Sequence, residues 1–126
     1  MAGSDEEFAS VFTEGRALAE QIGDRAALAT MIAYYGAVRS FFCGSAADYV
    51  RYGEEGTNIA AEGDDPNLRA ALGTLAMFGH HFAGNGTGAI AWCDRVLADT
   101  GLDHPLVNRS RAMRRGARRC MPARLA

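Results

Sequence analysis

Lysine is absent from the 126 residues, proline occurs only three times, and no stretch strings β-branched residues together. Few chain breakers and no β-rich runs, with Ala and Leu recurring throughout, favour helix and leave no convincing strand. The three cysteines, Cys43, Cys93 and Cys120, are odd in number, widely spaced and not preceded by a secretory apolar segment. That pattern argues against a disulfide framework and for a reducing, cytoplasmic setting. No uninterrupted apolar run approaches the ~20 residues that span a bilayer, so a membrane protein is not expected.

What is present is an apolar content of 48%, enough for the core of one compact domain or a short run of repeats. The net charge of −2 conceals a division. Residues 1–108 hold six arginines and all 15 acidic residues, whereas residues 109–126 hold seven arginines and no acid. The natural partition is a helical body, 1–108, and an arginine-rich tail or frayed helix, 109–126.

Apolar residues spaced three and four apart predict five helices, with a sixth opening at Asp103-His104-Pro105. The first runs over Asp5 to Ile22, its stripe Phe8, Val11, Phe12, Gly15, Leu18, Ala19 and Ile22. Gly23 and Asp24 then read as a C-cap and an N-cap. The second, Arg25 to Cys43, has two adjoining stripes, Leu28, Ile32, Tyr35, Phe42 and Met31, Tyr34, Val38, Phe41, and must pack on two sides. Ser45 with Asp48 resembles a capping arrangement for a third helix, Ala46 to Glu62, whose middle Gly53 and Gly56 are expected to weaken. Asp65-Pro66 is a strong start signal for a fourth helix to Ala83. Gly84-Asn85-Gly86-Thr87-Gly88 reads as a tight turn before a fifth, Thr87 to Thr100, burying Ile90, Ala91, Val96, Leu97 and Trp92.

The order acidic turn, apolar helix with a central glycine, glycine break, second helix occurs twice. Asp24, Asp65 and Asp103 lie 41 and 38 residues apart, and Ala33-Tyr34-Tyr35-Gly36 returns as Ala76-Met77-Phe78-Gly79. A period near 40 with two helices per unit marks a helical solenoid. Leu75, Phe78-Gly79, Phe82, Ala91 and Ala98 fall on the pattern of the tetratricopeptide repeat, which this segment resembles. Ile32 and Tyr35-Gly36 match the start of an earlier unit, where Arg39 stands in place of the usual aromatic. Gly63-Asp64-Asp65-Pro66-Asn67-Leu68-Arg69-Ala70-Ala71-Leu72, with Phe82-Ala83-Gly84 and Ala89-Ile90-Ala91-Trp92, is also similar to the divergent repeats of large bacterial signalling ATPases. Those proteins join an ATPase to a nucleotidyl cyclase or a DNA-binding regulator domain. The resemblance implies an all-α fold of antiparallel helix pairs stacked as a short α-solenoid, serving as one part of a larger signalling protein. The chain itself has no phosphate-binding Gly-Lys-Ser/Thr loop.

Candidate chemistry is sparse. His80 and His81 are adjacent, so on a helix they point in different directions and do not readily share a metal. Cys93 lies on an apolar stripe and reads as a small buried hydrophobe rather than a reactive thiol. Glu54-Glu55 and Asp64-Asp65 read as solvated and capping carboxylates rather than paired acid-base groups. No catalytic residue, metal or cofactor is expected. The aromatics point instead to a groove on the first-helix faces, with Tyr34, Arg39, His80 and His81 as candidate binding positions for another protein or domain; exposed terminal helices would also favour self-association. In the tail, Arg111, Arg114, Arg115, Arg118 and Arg119 offer an alternative contact to nucleic-acid phosphates. No recognisable nucleic-acid motif accompanies them, so solvated arginines are the favoured reading.

Overall fold

The computed structural model describes residues 4–100 together with 115, 116, 118 and 119. Its elements are α1 (Asp5–Ile22), α2 (Arg25–Cys43), α3 (Ala46–Ala61), α4 (Pro66–Phe82) and α5 (Gly86–Thr100), and the described residues contain no strand. The protein is thus all-helical. The expected sixth helix, with His104, Arg111 and Arg114, lies outside the described residues.

Local hydrogen-bond chemistry sets the boundaries. Ser4 and Glu7 form a reciprocal capping box at the start of α1. Gly23 and Gly44 end α1 and α2 at φ values of 79° and 70°, in the left-handed region that a glycine enters without penalty. The side chains of Asp24, Ser45 and Asp65 accept from the first free N–H groups of α2, α3 and α4, and Pro66 occupies the first turn of α4. At α5 the cap is Asn85, which accepts from the Gly88 N–H, so the helix begins at Gly86, one residue before the expected Thr87.

Each helix packs on the next, α2 with α3 most extensively, and α2 also reaches α4. The contact surface is built of small residues. A Cβ placed on Gly56 would lie 2.5 Å from the Ala29 carbonyl oxygen and 2.8 Å from Ala33 Cβ. One placed on Gly36 would lie 2.7 Å from Tyr52 Cβ, and one on Gly79 would lie 3.0 Å from the backbone of Tyr49. Gly36 and Gly79 therefore permit close approach, as expected. Gly53 and Gly56 do the same, which corrects their reading as weak points of α3: both are buried, Gly53 against the backbone of Ala76. Around this seam lie Leu28, Ile32, Leu72, Met77, Cys93, Val96 and, as expected, Trp92. The hydroxyls of the buried Thr57 and Thr74 donate to the carbonyls of Gly53 and Ala70, so neither is left without a partner.

The apolar character of α2 goes further than its sequence suggests. Over 18 residues its mean hydropathy reaches 1.2, so by length and composition alone it is long and apolar enough to cross a membrane, a test that core helices of soluble proteins also pass. Arg25 and Arg39 near its ends hide this in a search for uninterrupted apolar runs.

The seam yields a paired test. Alanine normally improves a helix by ~1 kcal/mol over glycine. At Gly56 the new methyl meets fixed backbone, and Gly56→Ala is expected to lower the unfolding free energy by about 1–3 kcal/mol. At Gly15 the methyl meets only the flexible end of Met31 at 3.0 Å. Gly15→Ala is therefore expected to be neutral or stabilising by up to ~1 kcal/mol in the same denaturant titration.

Candidate functional site

The expected stripe of α1 is only half covered. Ala19 is buried and Phe12 partly so, with the Phe12 ring stacked on Tyr35 at 3.8 Å and Tyr52 edge-on to both. The outer half of the stripe faces solvent: Val11 is 71% exposed, Leu18 56% and Ile22 69%. The cause is that α1 packs mainly on α2, with side-chain contacts to Tyr52 and Glu55 of α3, and among the described residues no element covers its other side. Between the two helices runs an open groove of about 360 Å³, lined by Phe8, Val11, Phe12, Thr30, Met31, Tyr34, Tyr35 and Val38. Apart from the Thr30 and tyrosine hydroxyls, its side chains are hydrocarbon or thioether.

Of the four candidate groove positions, Tyr34 lies in this groove, 55% exposed. His81 lies elsewhere, edge-on to Phe82 in a second aromatic group that joins Phe82, Phe41 and Tyr49 across α2, α3 and α4. Burial raises the Tyr49 phenol above its ordinary value, and nearby Tyr34 adds to the effect.

Arg39 is an ion-pair hub, its Nε 3.1 Å from Asp48 and its Nη1 3.2 Å from Asp5. Burial alone would raise the Asp48 carboxyl. The hydrogen bond from the Ser45 side chain and the Arg39 pair outweigh it and leave the group below the usual carboxylate range. Asp5 also accepts from the exposed Cys43 thiol, and that bond, followed by desolvation, raises the Cys43 pKa and keeps the group a thiol.

His80 is buried and structural in its contacts, which corrects its reading as a groove residue. Its Nε2 lies 2.7 Å from Glu54 Oε1, and its Nδ1 lies 3.0 Å from Asn85 Nδ2. Because Asn85 Oδ1 already accepts from the Gly88 N–H, the Asn85 amide presents its NH₂ to His80 Nδ1. Nδ1 is then the acceptor, and the imidazole proton sits on Nε2 and is donated to Glu54. The same Glu54 oxygen accepts from Trp92 Nε1 at 3.3 Å. Glu54 thus ties α3 to α4 and α5, a role sequence reasoning missed when it read the residue as solvated. The legible signal was Trp92, whose indole N–H needs an acceptor once its ring is buried.

A shallower depression of about 730 Å³ runs along α3 past Arg51, Glu54, Glu55, Asn58 and Glu62. Its carboxylates are engaged: Glu54 as above, Glu55 with Arg16, and Glu62 with Arg25. Among the described residues no three His, Cys, Asp or Glu side chains are grouped to hold a metal. In the tail, Arg115, Arg118 and Arg119 are exposed. No protein-family model, curated protein or solved structure matches the chain.

Two outcomes follow. Glu54→Ala removes one acceptor shared by two buried donors and is expected to cost about 2–3 kcal/mol of stability, whereas Glu54→Gln, which keeps a carbonyl oxygen, costs less; urea unfolding measures both. Asp48, held below its ordinary value, contributes stability that is present above that value and is lost as pH falls through the lowered one. Arg39→Gln is therefore expected to lower the melting temperature at neutral pH. The gap from the unaltered chain should close as pH falls below about 4, where carboxylates protonate.

Proposed function

We propose that the chain is a protein-interaction module of the tetratricopeptide-like kind, whose exposed groove between α1 and α2 receives an apolar segment of another protein or of another domain in a larger signalling protein. The observation that carries this reading is the groove itself: eight lining residues, five of them on α2, with almost no polar surface and no element of the described chain over them. Large apolar side chains grouped at a surface mark sites of association, whereas scattered ones do not. The sequential packing of the helices around close glycine contacts is consistent with antiparallel pairs stacked as a short α-solenoid. In that arrangement terminal helices present uncovered faces, and α1 has one. Cys43 beside Asp5 is held as a thiol, no metal ligands are grouped among the described residues, and the proposal assigns no catalysis. Exposed Arg115, Arg118 and Arg119 favour a second reading, contact with nucleic-acid phosphates, which predicts binding that collapses with added salt.

Peptides selected from a helical display library against the full chain test the first reading. Their affinity is expected to fall at least tenfold on Tyr34→Asp and on Val11→Asp, with melting curves showing both variants folded. Selected peptides indifferent to both substitutions would move the binding surface elsewhere and sink this assignment.

A further inference from the structure

We infer that the occupant of the α1/α2 groove is an amphipathic helix with one apolar stripe and a basic edge, supplied by a partner rather than by the same acidic face of a second copy of this chain. The inference rests on the groove being a docking site and adds the chemistry of what docks.

The argument starts from the charges on the two helices that form the groove. Along α1 stand five carboxylates, Asp5, Glu6, Glu7, Glu14 and Glu20, against one guanidinium, Arg16. That cation is already engaged, 3.2 Å from Glu20 and 2.8 Å from Glu55 on α3. The only ionisable cations of α2 are Arg25 and Arg39, which are paired with Glu62 and with Asp5 and Asp48. No cation of α1 or α2 is therefore left to neutralise the acids of α1.

Helix geometry places the acids. Residues seven apart lie almost in line, and residues four apart are neighbours. Glu7 and Glu14 form one row, and Val11 and Leu18, each four residues further on, form the exposed apolar row beside it. Glu14 has no ion-pair partner among the described residues. Glu7 accepts from the Ser4 backbone N–H, which brings no countercharge to it. The groove lining is thus apolar, with the Tyr34 hydroxyl on its α2 side, and the acidic row of Glu7 and Glu14 stands just beyond its α1 edge, next to Val11 and Leu18.

This pattern discriminates among occupants. A second copy docking through the same face would bring two acidic α1 helices together, and like charges facing each other oppose association. An anionic membrane surface is disfavoured for the same reason. A helix laid in the groove with its apolar residues spaced three and four apart, and with arginines or lysines about seven residues apart on one edge, meets both the apolar lining and the acidic row. Exposed pairs are worth ~0.2–1 kcal/mol each, so two of them correspond to roughly a 2- to 30-fold preference over a helix of the same shape with an acidic edge.

The test uses two synthetic helices about five turns long that share one leucine stripe. They differ only at two edge positions seven apart, arginine in one and glutamate in the other. Binding to the full chain is followed by fluorescence anisotropy. The arginine helix is expected to bind about tenfold more tightly in low salt, with the preference shrinking toward unity near 1 M salt, where screening reaches about 3 Å. Glu14→Arg, an exposed change, is expected to reduce the preference at least threefold, and Tyr34→Asp to weaken both helices.

If both helices bind equally and both respond to Tyr34→Asp, the groove stands as a docking site and the basic partner is overturned. If neither binds, the docking reading fails and this inference falls with it. If the arginine helix binds but ignores both Tyr34→Asp and Val11→Asp, the attraction belongs to the acidic body at large, and the inference is equally overturned.

Discussion

The closeness of α2, α3 and α4 is the constraint on which the rest of the molecule depends. Gly36 and Gly56 bring α2 and α3 to backbone contact, and Gly53 and Gly79 do the same for α3 and α4. Interiors are packed to crystal-like density, so a centre made of glycine and alanine has no room for rings. Most aromatic side chains of these helices are accordingly found to either side of it, Tyr49 being the one that is buried. Phe12, Tyr35 and Tyr52 stack on the side toward α1, while Phe41, Tyr49 and Phe82 gather at the other. The apolar groove is a consequence of this sorting. Rings excluded from the seam furnish its floor and its rim.

The two ends of the molecule are tied down by different chemistry. At the α5 end, one carboxylate, Glu54, serves a buried imidazole and a buried indole, and Asn85 both caps α5 and fixes the proton on His80. Satisfied networks of this kind, here with two buried donors on a half-exposed carboxylate, hold neighbouring elements in one geometry. At the α1 end the ties are Arg16 to Glu55 and Arg39 to Asp5, with partly or largely exposed side chains. Such pairs contribute little, about 0–1 kcal/mol each. Segments with few buried contacts and solvent-facing ties open most readily, and binding surfaces are commonly drawn from them. The groove therefore lies where the fold is most easily adjusted to an incoming helix.

Helix boundaries were legible in the sequence almost to the residue because a cap is a local event. Asp24, Ser45 and Asp65 bond to N–H groups two or three residues away, and Gly23 and Gly44 turn the chain within one residue. The identities of the buried faces were less legible. The stripe of α1 reads as core throughout, yet only the part that meets α2 and α3 is covered, and nothing within α1 distinguishes Phe12 from Val11. The same holds for Gly53 and Gly56, whose local cost to the helix is plain in the sequence and whose compensating contacts with Ala76 and Ala29 are not. Glu54 looks like any surface carboxylate until Trp92 and His80, 38 and 26 residues away, are brought to it. Tyr34, Arg39, His80 and His81 were read as lining one groove on the first-helix faces; Tyr34 lies instead in the groove between α1 and α2, Arg39 and His80 have polar partners on other helices, and His81 sits beside Phe82.

An exposed apolar surface is a hazard to any chain that carries it, since the force that seats a partner also drives aggregation. Among the described residues eight large apolar side chains lie open, four of them on α1. The acidic residues of α1 bear directly on that hazard. Burial of hydrocarbon is indifferent to what supplies the other surface, whereas charge is not, so the carboxylates beside Val11 and Leu18 decide which encounters proceed. Against another α1 they add repulsion to the cost of association; against a basic helix they add attraction. Glu14, without an ion-pair partner among the described residues, adds little to the stability of the folded chain; under the proposed docking it would give a nonspecific apolar groove a preference, and removing the charge would leave the affinity of the floor while losing the selection.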